Sequence, residues 1–214
     1  MKMTMKKFKV FDDFISPTYQ NLIEGLFTDH NTTWSYQQHM DYGTSGAPQF
    51  LISVLDNIFI NGQNTPQIGN NLIYYTLLGL TSKIIDELVP NHVNCRTRAI
   101  LQTPLSDPPK HYIPHTDYRG NHWSFIYYVN DATGDTYLFG EDVNDIRQDT
   151  PCSDDDYTKM IKYDWKPIDS VSPKKGRLIM FPSRQYHAGS SPKSDRRMLI
   201  NFNFEPLNNQ KHHD

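Results

Sequence analysis

Two hydrophobic periods divide the chain near Pro90. Before it, apolar residues recur at three and four. Ser16-Pro17 supplies an N-cap hydroxyl followed by proline at the first helical position. Tyr19, Leu22, Ile23, Leu26 and Phe27 follow at helical spacing, which predicts a helix over about 17–28. From Gly69 to Leu88 the residues Leu72, Ile73, Leu77, Leu80, Ile84, Ile85 and Leu88 form a second stripe, stopped by Pro90. Such stripes are core material, not sites. Phe8 to Ile15 reads as a short strand or entry segment.

Past residue 92 the period falls to two. Val93, Cys95, Thr97, Ala99 and Leu101 share one strand face, and Arg96, Arg98 and Ile100 the other. A face with two arginines is ordinarily solvated; inside a barrel mouth it would instead meet a substrate carboxylate. Residues 103–110 form a proline-stiffened loop. Further strands are predicted at Trp123–Val129, Thr136–Phe139, Gly176–Phe181 and Met198–Phe204. Along the last, Arg197, Leu199, Asn201 and Asn203 share a face whose polarity suits the lining of a pocket. Two stretches carry no clear period. In 29–50, aromatics such as Trp34, Tyr36 and Tyr42 read as loop residues packed on the fold, with a lid as the alternative. Residues 140–165 are acidic and irregular, either a substrate-facing loop or variable surface.

Length and charge narrow the classes. At 214 residues the chain fits one domain: 1–92 as helical support, 93–204 as the core and 205–214 as a polar tail. A net charge of -3 gives no basic stripe for nucleic acid. No apolar run reaches the roughly 18–20 residues of a membrane helix. The basic start lacks the apolar centre of a signal peptide, and Cys95 and Cys152 give no disulfide framework, so a reducing cytoplasm is the expected setting. Oligomeric state is not legible.

Candidate chemistry lies in Tyr112-Ile113-Pro114-His115-Thr116-Asp117 and, far downstream, Tyr186-His187. In an extended segment residues 115 and 117 point the same way, about 7 Å apart, so an imidazole and a carboxylate can converge on one ion. A second imidazole from a neighbouring strand completes one face of an octahedron and leaves three positions open, the ligand set of non-haem Fe(II) oxygenases. A 2-oxo acid can chelate two of those positions and O2 take the third. Arg197, ten residues past His187, offers a planar fork for the far carboxylate of 2-oxoglutarate. His39-Met40-Asp41 and His212-His213-Asp214 repeat the triplet, so the triplet alone is weak; only His115 is followed by strands, a distant histidine and a placed arginine. His122 is the rival metal ligand, and its position at a turn before a strand favours a supporting role.

Tyr-x-x-His-x-Asp, the strand Gly134-Asp135-Thr136-Tyr137-Leu138-Phe139, His187 and a basic residue ten further on together resemble the Fe(II)/2-oxoglutarate-dependent dioxygenases, over roughly residues 93–204. Within them the pattern looks most like the prolyl 4-hydroxylase-like branch, including its small microbial and viral members. Arg197 stands where that branch typically carries lysine, so the cofactor reading carries over and the proline-specific one stays open. The resemblance implies His115, Asp117 and His187 as iron ligands and Arg197 as co-substrate anchor. It makes Tyr112 and Thr136 hydrogen-bond donors to the 2-oxoglutarate. Fe(II), 2-oxoglutarate and O2 are the implied reactants, with ascorbate as an accessory reductant. The implied fold is α+β: a double-stranded β-helix (jelly-roll, cupin-like) barrel with about eight strands, its larger sheet backed by the N-terminal helices. The implied activity is hydroxylation of an unactivated C–H bond, of a peptidyl proline, an amino acid or another small molecule. The competing classes are a zinc hydrolase on the same ligands, a non-catalytic jelly-roll module and a nucleic-acid demethylase. Arg197 and Tyr112 have no task in the first. Intact ligands count against the second. Asn203 stands where the third carries another arginine.

Overall fold

A computed structural model describes residues 8–38, 47–60, 63–117, 122–140, 160 and 162–207. The elements run β1 (Lys9–Phe11), α1 (Pro17–Thr28), β2 (Ser35–Gln37), β3 (Gln49–Ile60), β4 (Gln63–Ile68), α2 (Asn71–Leu88), β5 (His92–Gln102), β6 (Trp123–Tyr128), β7 (Thr136–Phe139), β8 (Pro167–Val171), β9 (Leu178–Pro182), β10 (His187–Gly189) and β11 (Arg197–Pro206). Helix α1 starts where its cap predicts, and α2 starts behind a cap of its own at Asn70. The Ser16 side chain accepts from the Tyr19 N–H, and the Asn70 side chain from the Ile73 N–H at 3.0 Å.

The strands form two antiparallel sheets, the architecture of a double-stranded β-helix. The larger runs β1-β9-β6-β11-β5-β3-β2, with β4 paired to β3; the smaller runs β10-β7-β8. Alternation along each central strand sorts side chains between two environments. Phe125, Tyr127, Ile200 and Phe202 point outward to Ile23, Phe27, Ile73, Leu77, Leu80 and Ile84 of the two helices. Ile126, Tyr128 and Leu199 point inward, packing with Leu138, Ile179 and Phe181 between the sheets. The helices thus seal one face of the large sheet, leaving the other to build an interior.

The structure adds strands that the hydrophobic pattern misses. Residues 29–50 are not simply loop: β2 and the start of β3 lie there, with Trp34 packed on Phe27 at 5.7 Å between ring centroids. Strands β3 and β4 extend the large sheet from a stretch left unassigned, because β3 is defined by pairing with β5 and not by its own period. His187 opens a short strand of its own, β10. Tyr42 and most of 140–165, including Cys152, lie outside the described residues, as do the His39 and His212 triplets.

Candidate active site

The proline-rich segment after β5 returns along β10 as an added, irregular strand. The Tyr112 N–H donates to the Gly189 carbonyl at 2.9 Å, and His115 and His187 exchange backbone hydrogen bonds at 3.0 Å each way. Directly opposed residues of an antiparallel pair project from the same face. The two imidazoles therefore lie side by side, ring centroids 4.7 Å apart. Asp117, two residues on, completes the group: its Oδ1 is 3.5 Å from His187 Nε2 and 4.0 Å from His115 Nε2. One donor atom from each of the three lies within 4.8 Å of the others.

Each histidine is turned the right way for metal binding. His115 Nδ1 lies 3.2 Å from the Ile113 carbonyl, and His187 Nδ1 3.2 Å from the Gln185 carbonyl. A carbonyl can only accept, so Nδ1 carries the proton and Nε2 presents its lone pair inward. Two neutral imidazoles and a carboxylate, with no thiolate, form a donor set suited to Fe(II). Burial alone would push the Asp117 carboxyl up. An imidazolium at His187, protonated at Nε2 as well when no metal takes that lone pair, overcomes this together with Arg96 and His115 and holds the carboxyl well below the usual carboxylate range.

Asp117 is supported from the large sheet. Its Oδ2 accepts from Asn201 Nδ2 at 2.8 Å, and Arg96 Nη1 donates to its backbone carbonyl at 2.7 Å. Arg96 Nη2 stands 3.6 Å from Oδ1. Arg96 is held in turn by Asn203 Oδ1 at 2.8 Å, and Asn203 Nδ2 by Ser124 Oγ at 3.0 Å. The arginine face of β5 therefore divides. Arg98 pairs with Asp56 at 2.8 Å at the partly exposed rim, whereas Arg96 is buried against Asp117. Solvation, the ordinary fate of such a face, fails for Arg96 because β11 presents Asn203 opposite it and the returning segment brings the Asp117 carbonyl within reach.

Arg197 opens β11 on the same inward face and is buried. It donates to Gln102 Oε1 and Thr136 Oγ1, both at 2.7 Å, and its guanidinium carbon lies 5.6 Å from the Tyr128 ring centroid. Both acceptors are neutral. Among the described residues no carboxylate lies within ion-pair distance of it, and its Nε has no partner. Burial pushes its pKa down while Tyr128 and Tyr112 push it back; a guanidinium stays charged regardless. A buried cation facing only neutral acceptors beside a metal-type ligand set is a ready receptor for an anionic ligand. Thr136, already accepting from Arg197 and from the Tyr128 hydroxyl at 2.7 Å, keeps its own O–H to donate. The cavity joining these groups is lined by His115, Asp117, His187, Arg197, Thr136 and Asn201.

The other sequence candidates sort cleanly. Tyr112 is buried beside Gly189 and Arg197 with its hydroxyl directed to Ser191, behind the cavity lining. Arg196 is exposed. His122 is buried with Nε2 at 3.2 Å from Ser124 Oγ, behind the Asp117–Arg96–Asn203 chain and outside the three-ligand group. Gln102 was missed, and Arg96 and Asn201 were placed on polar strand faces without their partners; only the pairing of β5 with β11 says what they face.

Comparison with known proteins agrees with this geometry. Residues 102–205, the span holding all three candidate ligands and Arg197, match the model of the 2OG-Fe(II) oxygenase superfamily. The chain belongs to that superfamily, whose members use Fe(II), 2-oxoglutarate and O2. No curated protein sequence matches it. Among solved structures it is similar to a 2OG-Fe(II) oxygenase family oxidoreductase from Burkholderia pseudomallei (TM-score 0.66, 13% identity, covering 94% of this chain and 85% of that one). It is also similar to the non-heme alpha ketoglutarate dependent carbocyclase SnoK from nogalamycin biosynthesis (TM-score 0.62, 13% identity, 97% and 85%). A third is a prolyl-4-hydroxylase from Pseudomonas putida (TM-score 0.52, 14% identity, 93% and 92%). At these identities the likeness is one of fold. None of the helices described is long and apolar enough to cross a membrane.

Proposed function

We propose that the protein is a 2-oxoglutarate-dependent hydroxylase in which His115, Asp117 and His187 hold Fe(II) and Arg197 anchors the co-substrate. One observation carries the reading: a converged His-Asp-His donor set shares a cavity with a buried guanidinium that has no carboxylate partner among the described residues. Fe(II) held there supplies the redox chemistry by which 2-oxoglutarate and O2 become succinate and CO2 while one oxygen atom enters a substrate C–H bond.

The protein's own groups set the conditions. Arg197 binds the distal carboxylate in a bidentate pair, and the Thr136 hydroxyl donates to the same group. Tyr112, with its hydroxyl on Ser191, steadies the wall beside Arg197 and takes a structural role in place of direct contact. Ile126 and Leu199 keep the inner wall apolar and exclude water. Retention of Asp117 leaves hydroxylation as the outcome, since the carboxylate occupies the position a halide would need. Residues 93–204 form the catalytic core, with the helices of 1–92 as support. Ascorbate would serve only to restore ferrous iron. The substrate is an amino-acid-like or peptidyl group presented at the rim formed by β3 and β5, where Arg98 and Asp56 offer both charges. Peptidyl proline is one member of that class. A zinc hydrolase leaves Arg197 without a task.

Anaerobic titration of the apo protein with Fe(II) and 2-oxoglutarate tests this directly. The expected result is a weak visible charge-transfer band that decays with succinate formation once O2 is admitted. Tight zinc binding with no band on Fe(II) and 2-oxoglutarate would sink the reading.

A further inference from the structure

Asp117 meets the candidate metal position with unequal oxygens. Oδ1 faces both imidazole Nε2 atoms, at 3.5 and 4.0 Å. Oδ2 is turned away and accepts from Asn201 Nδ2 at 2.8 Å. The Asn201 amide cannot be reversed here, because its oxygen would then face a carboxylate oxygen. Its own Oδ1 is buried with no partner among the described residues, so no second bond competes for the amide. From the other side Arg96 grips the Asp117 backbone carbonyl at 2.7 Å and is itself fixed by Asn203 and Ser124. Main chain and side chain of this one residue are thus clamped independently.

Resting on the ligand assignment above, we infer that Asn201 and Arg96 are positioning residues that restrict Asp117 to a single metal-facing oxygen. The restriction matters because a carboxylate binds a metal through one oxygen or two. With both oxygens engaged, Asp117 would occupy a second position and close one of those a chelating 2-oxo acid and O2 require. The Asn201 bond ties up Oδ2, and the Arg96 grip prevents the backbone rotation that would swing it inward. Asn201 thereby protects co-substrate binding through its hold on Asp117. The charge of Arg96 near Oδ1 adds a second effect, drawing electron density from the ligand oxygen so that the metal stays a strong acceptor for the 2-oxo acid.

The test uses Co(II), a non-oxidising probe with a coordination-sensitive visible spectrum, on the intact chain. Asn201→Leu removes the donor, and Asn201→Ser, whose hydroxyl is too short to reach, is the gentler second variant. Arg96→Lys keeps the charge but loses the fork. Expected for both Asn201 variants is Co(II) affinity within about threefold of wild type, a changed Co(II) spectrum, and 2-oxoglutarate affinity on the Co(II)-loaded protein weakened about tenfold or more. Arg96→Lys should lie between them and wild type. A merely structural Asn201 would lower melting temperature and both affinities together, and that pattern overturns the inference. So does a folded Asn201→Ser or Asn201→Leu protein with unaltered spectrum and 2-oxoglutarate affinity. Wild-type protein that binds Co(II) but no 2-oxoglutarate would remove the oxygenase reading itself, and this inference with it.

Discussion

Replacing Arg197 by methionine should separate binding from stability. Burying a guanidinium costs several kcal/mol after relaxation. Against that stand bonds to Gln102 and Thr136, both at 2.7 Å, worth about 1.5–3 kcal/mol each when the donor is charged. Stacking on Tyr128 adds about 2 kcal/mol. Because these nearly cancel, Met, of similar length and able to fill the slot, should change apo stability by no more than about 2 kcal/mol. That corresponds to a shift of roughly 4–8 °C for a chain of this size. Thr136 keeps the Tyr128 hydroxyl as a partner, so the substitution leaves no orphan there. Co-substrate binding has no such compensation. Losing a bidentate pair removes about 3 kcal/mol or more, at least a hundredfold in affinity. Thermal melting of the Mn(II)-loaded protein with increasing 2-oxoglutarate reads both quantities. Wild type at a hundredfold excess over its dissociation constant gains about 2.7 kcal/mol; Arg197→Met should show almost no gain, and Arg196→Ala the full gain. An Arg197→Met protein that loses more than about 10 °C in the apo state yet still responds to 2-oxoglutarate would make Arg197 a structural cation and refute the anchor.

Asp117→Ala should abolish Fe(II) binding and succinate formation while circular dichroism stays native; turnover in the purified variant would remove the ligand assignment. Gly189→Ala places a Cβ 3.2 Å from Arg197 Nη1, so we expect 2-oxoglutarate affinity to fall roughly three- to tenfold with metal affinity unchanged, checked by calorimetry on Mn(II)-loaded protein. The Tyr19 hydroxyl sits in the α2 ladder, donating to the Thr76 carbonyl and accepting from the Leu80 N–H at 3.2 Å. Tyr19→Phe should cost about 1–2 kcal/mol in chemical denaturation, and an unaltered midpoint would mean that the helix simply recloses its own bond.

The sequence by itself determined the parts whose signal is local. Helix α1 was legible because Ser16-Pro17 and five apolar residues at helical spacing act within a few turns, and the observed Pro17–Thr28 matches the predicted span. The His115/Asp117 pair was legible because a period of two needs only an extended backbone. The polar side of the last strand was legible for the same reason, and Asn201 and Asn203 do line the interior. Tertiary structure decided the rest. Strand β3 carries β-favouring residues such as Phe50, Ile52 and Val54, but its place beside β5 is set by pairing and not by any local period. His187 meets His115 only through one antiparallel bridge joining residues seventy-two apart, a contact with no local signature. Arg96 reads as a surface residue until β11 sets Asn203 opposite it and the returning segment brings Asp117 within reach. A side chain's direction follows from backbone geometry one residue at a time, whereas what it faces depends on how distant strands pair.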